Sequence, residues 1–304
     1  MLDSRSILSV RVPSLLLLFL FGAGRSVIIA LTGYGQNVTE YGVHWNFFFT
    51  LLILRLYVLA VPYPASIPVG IGVGMLYQVA LRWSWLRWVG NFKNLDLIKP
   101  TKITHFSETL EEWLLRHEWD PPPRLGLLDE NREGIFSMLG YISLYSMALL
   151  YTRLITPQLL KETKLTLKPV VYGLALALAA FLSQSALELT GIISQASRRA
   201  ANAGYVLAML ALCQFSISGI QLINCLVPVY AGQSLMTAVS RNGLLFFLFA
   251  NVLTGAINVS LIPSMQWAFV TRPVADSLVI AGYSLVLAVF AQCVDVYRGR
   301  KETK

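Results

Sequence analysis

Four groups of polar residues stand in or beside apolar stretches of this chain, where polar side chains are costly and turn toward an interior or a cavity. The first is Thr39-Glu40-Tyr41-Gly42-Val43-His44-Trp45-Asn46. If helix begins by Glu40, Glu40 and His44 share one face at i and i+4. A carboxylate so placed orients an imidazole and raises its basicity, which a general base needs against a hydroxyl. The plainer reading is a polar helix start at the membrane interface, with Trp45 as an aromatic anchor. The second group is Asn131-Arg132-Glu133-Gly134. Asn131 suits a helix cap, Glu133 the positive helix end, and Arg132 an anionic head group or phosphate; capping with an interfacial ion pair is the alternative. The third is Ser197-Arg198-Arg199 with Asn202 and Tyr205. Adjacent guanidinium forks suit a phosphate, and two solvated or snorkelling arginines are the alternative. The fourth is Asn251, Thr254 and Asn258, on one face of a helix, where hydrogen bonding between helices is the plain reading. Arg25 and Arg55 fall mid-span, where an unpaired guanidinium is expensive, and together they argue for an internal polar chamber.

The elements that must position these groups are membrane helices. Of 304 residues, 56% are hydrophobic and 13% charged, against about 25% charged in soluble chains. That excludes disorder and an ordinary soluble domain. The net charge of +8 comes from Lys and Arg lying mostly in loops and tails, a pattern of membrane orientation and not of nucleic-acid binding. Cys213, Cys225 and Cys293 have no metal or redox spacing, and no nucleotide-binding Gly loop, nucleophile elbow or H-E-x-x-H occurs. No metal and no bound cofactor are therefore expected.

A span needs about 20 apolar residues. The sequence offers spans near 12–32, 43–62, 64–82, 133–152, 168–187, 203–231, 243–262 and 277–294, with a polar loop at 83–131. Apolar runs of this length without a period of two are not barrel strands. The expected fold is an all-α polytopic transmembrane helix bundle of about eight spans, forming a single integral membrane domain over 1–304. Within the loop, His105–His117 reads as an amphipathic helix on the membrane surface. Phe106, Leu110, Trp113 and Leu114 take one face, and Glu108, Glu111, Glu112 and Arg116 the other. The basic tail (Arg298, Arg300, Lys301, Lys304) places the C-terminus in the cytosol.

The run from Val38 to Leu51, VTEYGVHWNFFFTL, closely resembles a hallmark segment of the glycosylphosphatidylinositol (GPI) inositol acyltransferases, the PIG-W family. Asn131-Arg132-Glu133-Gly134-Ile135-Phe136-Ser137 with Gly140-Tyr141 resembles a second segment. Ser197-Arg198-Arg199-Ala200 with Asn202 and Tyr205 resembles a third, and Asn251-Val252-Leu253-Thr254-Gly255 with Asn258 and Ser260 a fourth. The resemblance implies a multi-pass enzyme of the endoplasmic reticulum membrane. Such an enzyme moves a fatty acyl chain, typically palmitoyl, from acyl-CoA to the inositol ring of glucosaminyl-phosphatidylinositol in GPI-anchor assembly. Acyl-CoA is then the donor and a membrane lipid the acceptor, with no nucleic-acid partner.

On this resemblance His44 is the expected base, oriented by Glu40. Asn46, Asn251 and Asn258 are donors to an oxyanion or substrate hydroxyl. Arg132, Arg198 and Arg199 are phosphate partners, and Glu133 and Asn202 complete the substrate-binding set. Family members are larger, and the R-F-A-K-T-E-type and M-D-x-G-V-G motifs associated with their N-terminal half have no counterpart here. The chain is thus expected to lack that N-terminal part. A catalytically incompetent truncated form or a membrane subunit is the alternative. A lipid or solute transporter, suited by Arg25, Arg55 and the Gly-rich third span, is the remoter one.

Overall fold

A computed structural model describes residues 4–32, 41–83, 109–115, 126–160, 167–226, 234–260 and 272–302. Every regular element among them is an α-helix. In chain order they are α1 (Ser4–Thr32), α2 (Phe47–Ala60), α3 (Ser66–Arg82), α4 (Leu110–Leu115), α5 (Gly126–Glu130), α6 (Arg132–Leu160), α7 (Lys168–Leu189), α8 (Ala203–Leu226), α9 (Ser234–Arg241), α10 (Gly243–Ser260) and α11 (Arg272–Glu302). The chain divides into two compact units, 1–226 and 227–304.

In the first unit α2 begins where Asn46, in extended backbone, caps it. The Asn46 Oδ1 accepts from the N–H groups of Phe48 and Phe49 at 3.0 and 3.3 Å, satisfying donors that a helix start leaves open. Pro62 and Pro64 turn the chain into α3, and the Tyr57 hydroxyl closes this hairpin on the Ser66 carbonyl at 2.5 Å. Helix α3 lies on α6 through small residues: a Cβ at Gly70 would strike Ser146, and one at Gly74 would strike Ser143. Such close approach is how helices associate in lipid, where burying apolar surface gives no drive. Helices α7 and α8 form an antiparallel pair in which Gly173 faces Ser218 and Gln214. Ala180, Val206, Leu210 and Ala211 bury themselves there against Leu144, Met147 and Tyr151 of α6. Large apolar side chains point the other way; Phe181, Leu182, Phe215 and Ile220 are all exposed. Small residues inside and large apolar ones outside suit a lipid solvent.

By length and composition, four helices can cross a membrane: Arg132–Ile155, Lys168–Leu189, Ala203–Ile223 and Asp276–Tyr297. Leu235–Arg241 and Gly243–Ile257 pass together as a pair bent by 96°, and Ser14–Ile29 and Phe47–Ala60 are shorter apolar helices. The protein is an all-α polytopic membrane protein. Arg25 and Arg55 are both exposed. Their exposure means that, among the described residues, neither lines the enclosed polar chamber their positions suggested.

In the second unit the bend between α9 and α10 is made at buried Asn242. Its Nδ2 donates to the Ala238 carbonyl at 2.9 Å, while its own carbonyl accepts from Phe246 N–H at 2.9 Å. Phe249 of α10 stacks on Phe290 of α11 with ring centroids 4.0 Å apart, and Arg241 lies 3.8 Å from Asp295.

Candidate functional site

Three of the four polar groups meet at one end of the first unit, where α2, α6 and α8 begin and α3 and α7 end. The segment before α2 is docked there by its backbone. Val43 N–H donates to the Glu130 carbonyl at 2.8 Å, and the N–H groups of His44 and Trp45 both donate to Asn131 Oδ1 at 2.8 Å. Asn131 holds the cap position of α6 through its carbonyl, which accepts from Ile135 N–H at 2.9 Å. Its side chain, expected to cap α6, serves the other segment instead. Two glycines permit the docking. Gly42 has φ +103°, and a Cβ there would meet the Glu130 carbonyl; a Cβ on Gly134 would enter the Trp45 ring.

This geometry corrects the helix assumed through Glu40 and His44. The positive φ of Gly42 breaks it, the chain bends at Val43 and His44, and helix resumes only at Phe47. Glu40 lies outside the described residues. Among the described residues, the carboxylate that faces His44 is Glu130, with Oε2 3.5 Å from Nε2. The His44 side chain is 59% exposed and that of Glu130 29%. Asn46 is buried; its Nδ2 donates to the Gly22 carbonyl at 2.9 Å while its oxygen caps α2. Its amide joins α1 to α2, so the geometry gives it a positioning part where an oxyanion donor was expected.

Behind this edge lies an ionic core. Glu133, fully buried, takes Arg199 Nη2 at 3.1 Å, with Arg132 Nε at 3.5 Å. Arg132 reaches Asp129 at 3.0 Å. Its guanidinium also lies over the Trp113 ring, 5.3 Å from the centroid, at cation–π distance. Both arginines were expected to hold a phosphate, and Glu133 to join substrate binding. Instead carboxylates inside the protein meet the arginines' charge, and Glu133 is closed off from solvent.

Asn202, also fully buried, uses all its bonding capacity. Its Oδ1 accepts from Ser197 N–H at 3.1 Å and Tyr205 N–H at 3.0 Å; its Nδ2 donates to the Gln195 carbonyl at 2.8 Å and Glu111 Oε1 at 3.0 Å. It caps α8 and ties the 190–202 loop to α4, a structural task in place of the expected substrate contact. Ser194 donates to the other Glu111 oxygen. Glu111 was expected on the outer face of a surface helix. The described part of that helix, α4, is gripped on two sides: Leu110 and Leu114 pack on Tyr77 and Leu81, and Glu111 faces the loop. His105, Phe106, Glu108, Arg116 and His117 lie outside the described residues.

The outer rim carries aromatic hydroxyls and one arginine. The rings of Tyr141 and Tyr205 meet edge to face at 6.4 Å. Tyr41 and exposed Arg198 lie within electrostatic reach of the Tyr141 hydroxyl. The loop bearing Arg198 is fastened by the Tyr77 hydroxyl, which donates to the Ala200 carbonyl at 2.6 Å, and by Gly140, which leaves room for Ala201. The rim thus offers an imidazole backed by a carboxylate, a guanidinium and three phenols. Groups of these kinds can take a proton from a hydroxyl and pair with an anionic oxygen.

The fourth group belongs to the second unit. Asn251 is exposed and donates to the Phe247 carbonyl one turn back at 2.8 Å. Thr254 does the same toward Ala250 at 2.8 Å and reaches the Tyr283 hydroxyl at 3.3 Å. The Asn258 side chain lies outside those described. Among the described residues, no group of three or more His, Cys, Asp or Glu is placed to hold a metal ion.

Sequence reasoning missed Glu130 and Glu111. The signal for Glu130 was its place beside Asn131; for Glu111 no sequence signal existed, since its partners are 83 and 91 residues away.

The chain matches the family described as GWT1 over residues 4–102 and 101–294. It is 28% identical over 325 residues to a Homo sapiens protein named glucosaminyl-phosphatidylinositol-acyltransferase PIGW, covering 92% of this chain and 56% of that one. The Bos taurus protein of the same name is 32% identical, over 83% of this chain and 53% of its own length. A GPI-anchored wall transfer protein 1 from Aspergillus oryzae is 30% identical, over 90% and 54%. The chain therefore spans about half the length of the curated relatives it matches.

Proposed function

The chain belongs to the GWT1 family, and on that premise we propose that it acts in GPI-anchor biosynthesis as an O-acyltransferase of the endoplasmic reticulum membrane. It moves a fatty acyl chain, palmitoyl by preference, from acyl-CoA to the inositol ring of glucosaminyl-phosphatidylinositol. The observation that carries this reading is the convergence of three sequence-distant segments on one rim, with His44 and Glu130 3.5 Å apart at its edge. Glu130 holds Nε2–H, which leaves Nδ1 as the basic nitrogen. That nitrogen takes the proton of an inositol hydroxyl as the oxygen attacks the thioester carbonyl. The tetrahedral intermediate then collapses, forming the ester and expelling the CoA thiolate. Arg198 meets the lipid phosphate, and the tyrosines contact the polyol.

The test is acyl transfer in cells lacking their own inositol acyltransferase, following glucosaminyl-phosphatidylinositol and its acylated product. His44→Ala should lower transfer by roughly 10²–10⁴-fold, the usual worth of a general base, with membrane insertion unchanged. Glu130→Gln should lower it less. Turnover by His44→Ala equal to that of the unchanged chain would remove His44 from the chemistry.

A second reading has its own observation: Asn46, Arg132, Glu133 and Asn202 are buried and bonded within the protein. On that reading the chain is a substrate-holding membrane subunit. Transfer by a chain extended to the relatives' length, but none by these 304 residues, would favour it.

A further inference from the structure

His44 does not stand on a helix. Residues 42–46 run between the bend at Gly42 and the start of α2. A side chain on such a loop is held less closely than one on a helix, unless its backbone is fixed from outside. Here the fixing comes from residues 130 and 131. Val43 N–H goes to the Glu130 carbonyl, and the next two N–H groups share Asn131 Oδ1, each bond at 2.8 Å. From α1, the Ser26 hydroxyl donates to the His44 carbonyl at 3.3 Å.

A residue at the start of a helix ordinarily offers its side-chain oxygen to N–H groups of that helix's first turn. Asn131 is buried and gives both lone pairs of Oδ1 to His44 and Trp45. Its Nδ2 donates to the Leu127 carbonyl at 2.9 Å, which settles the end of the amide that faces the loop. The residue before it, Glu130, lays its carboxylate 3.5 Å from the His44 ring. One dipeptide therefore holds His44 twice: Glu130 takes the ring, and Asn131 the backbone from which the ring projects. A ring released from this register moves relative to Glu130. A misplacement of about 1 Å in a reacting group can cost about 10²-fold in rate.

We propose that Asn131 is the positioning residue for His44: its side-chain oxygen keeps the imidazole in register with Glu130. The inference rests on the reading of His44 as the base of the reaction. It makes an acceptor oxygen at this position the requirement, so that an aspartate serves and an alanine does not.

The test uses the full chain in lipid nanodiscs and begins without turnover. Diethyl pyrocarbonate modifies imidazoles, and mass spectrometry of the peptide bearing His44 reads the rate. Asn131→Ala should raise that rate to the level of Glu130→Gln, because each change takes the carboxylate from Nε2. It should also speed hydrogen exchange at Val43, His44 and Trp45 while α7 and α8 stay protected. Asn131→Asp keeps an acceptor oxygen and should react as slowly as the unchanged chain. Gly42→Ala, whose methyl would strike the Glu130 carbonyl, undocks the same loop with Asn131 in place. It should match Asn131→Ala, and it serves as the measure if that variant fails to fold. A His44 rate left unchanged by both alanine variants, or raised as much by Asn131→Asp, overturns the proposal. In acyl transfer, Asn131→Ala should lower kcat about 10²-fold with KM kept. It should add nothing in a His44→Ala chain, since the ring it positions is gone; a further loss there overturns the proposal. Full turnover by His44→Ala, with His44 labelling still governed by Asn131, would count against the base reading alone.

Discussion

The polar end of the first unit and the polar stripe of α10 start from the same kind of sequence and arrive at opposite structures. Both are Asn-containing groups set in apolar surroundings. At the polar end, Asn46, Asn131 and Asn202 sit at helix starts, where N–H groups lack partners. Each spends its amide on backbone from another part of the chain or on a carboxylate. In α10, Asn251 and Thr254 sit mid-helix, where the backbone is already paired. Both turn back to the carbonyl four residues earlier, which is the local solution open to a short polar side chain. Position along the helix, more than residue type, decides whether a polar group in a membrane protein builds tertiary structure.

Breaking the ionic core should show the largest effect. Glu133→Ala strands Arg199 and Arg132 without their shared carboxylate and should cost about 3–5 kcal/mol, seen as loss of the monodisperse species on heating in detergent. Asn202→Ala removes the cap of α8 and one partner of Glu111. It should cost about 2–4 kcal/mol, read as a lowered Tm by the same measurement. Gly134→Ala drives a methyl into the Trp45 ring and should cost about 1–3 kcal/mol. Its signature is local, with faster proteolysis near residues 41–46 while α7 and α8 stay protected. Asn251→Ala, the control from the other region, should change stability by no more than about 0.5 kcal/mol. An Asn251→Ala loss as large as that of Asn202→Ala would remove the distinction.

The helices themselves were legible in sequence, because a long apolar run has few alternatives in lipid. The site was legible in part. His44, Arg198 and the three converging segments stood out by residue type, but their partners did not. The carboxylate for His44 was sought four residues away at Glu40, on a helix that Gly42 interrupts. Among the described residues, the one that faces it lies 86 positions on. Arg132 and Arg199 were recognised as cations, yet the buried Glu133 between them turns both inward. Glu111 was assigned to solvent from helical periodicity alone. Periodicity tells which residues share a face; it does not tell that a six-residue helix will be covered on two faces at once.

The docking of residues 41–46 on Glu130 and Asn131, and of α4 on Asn202, sets a timetable for biogenesis. At about 5–20 residues per second, the stretches from Val43 to Asn131 and from Glu111 to Asn202 each take about 4–20 seconds to leave the ribosome. For that interval the backbone amides of Val43, His44 and Trp45, and then the Glu111 carboxylate, wait in the membrane interface without their acceptors and donors. The rim can therefore close only after synthesis has passed Asn202.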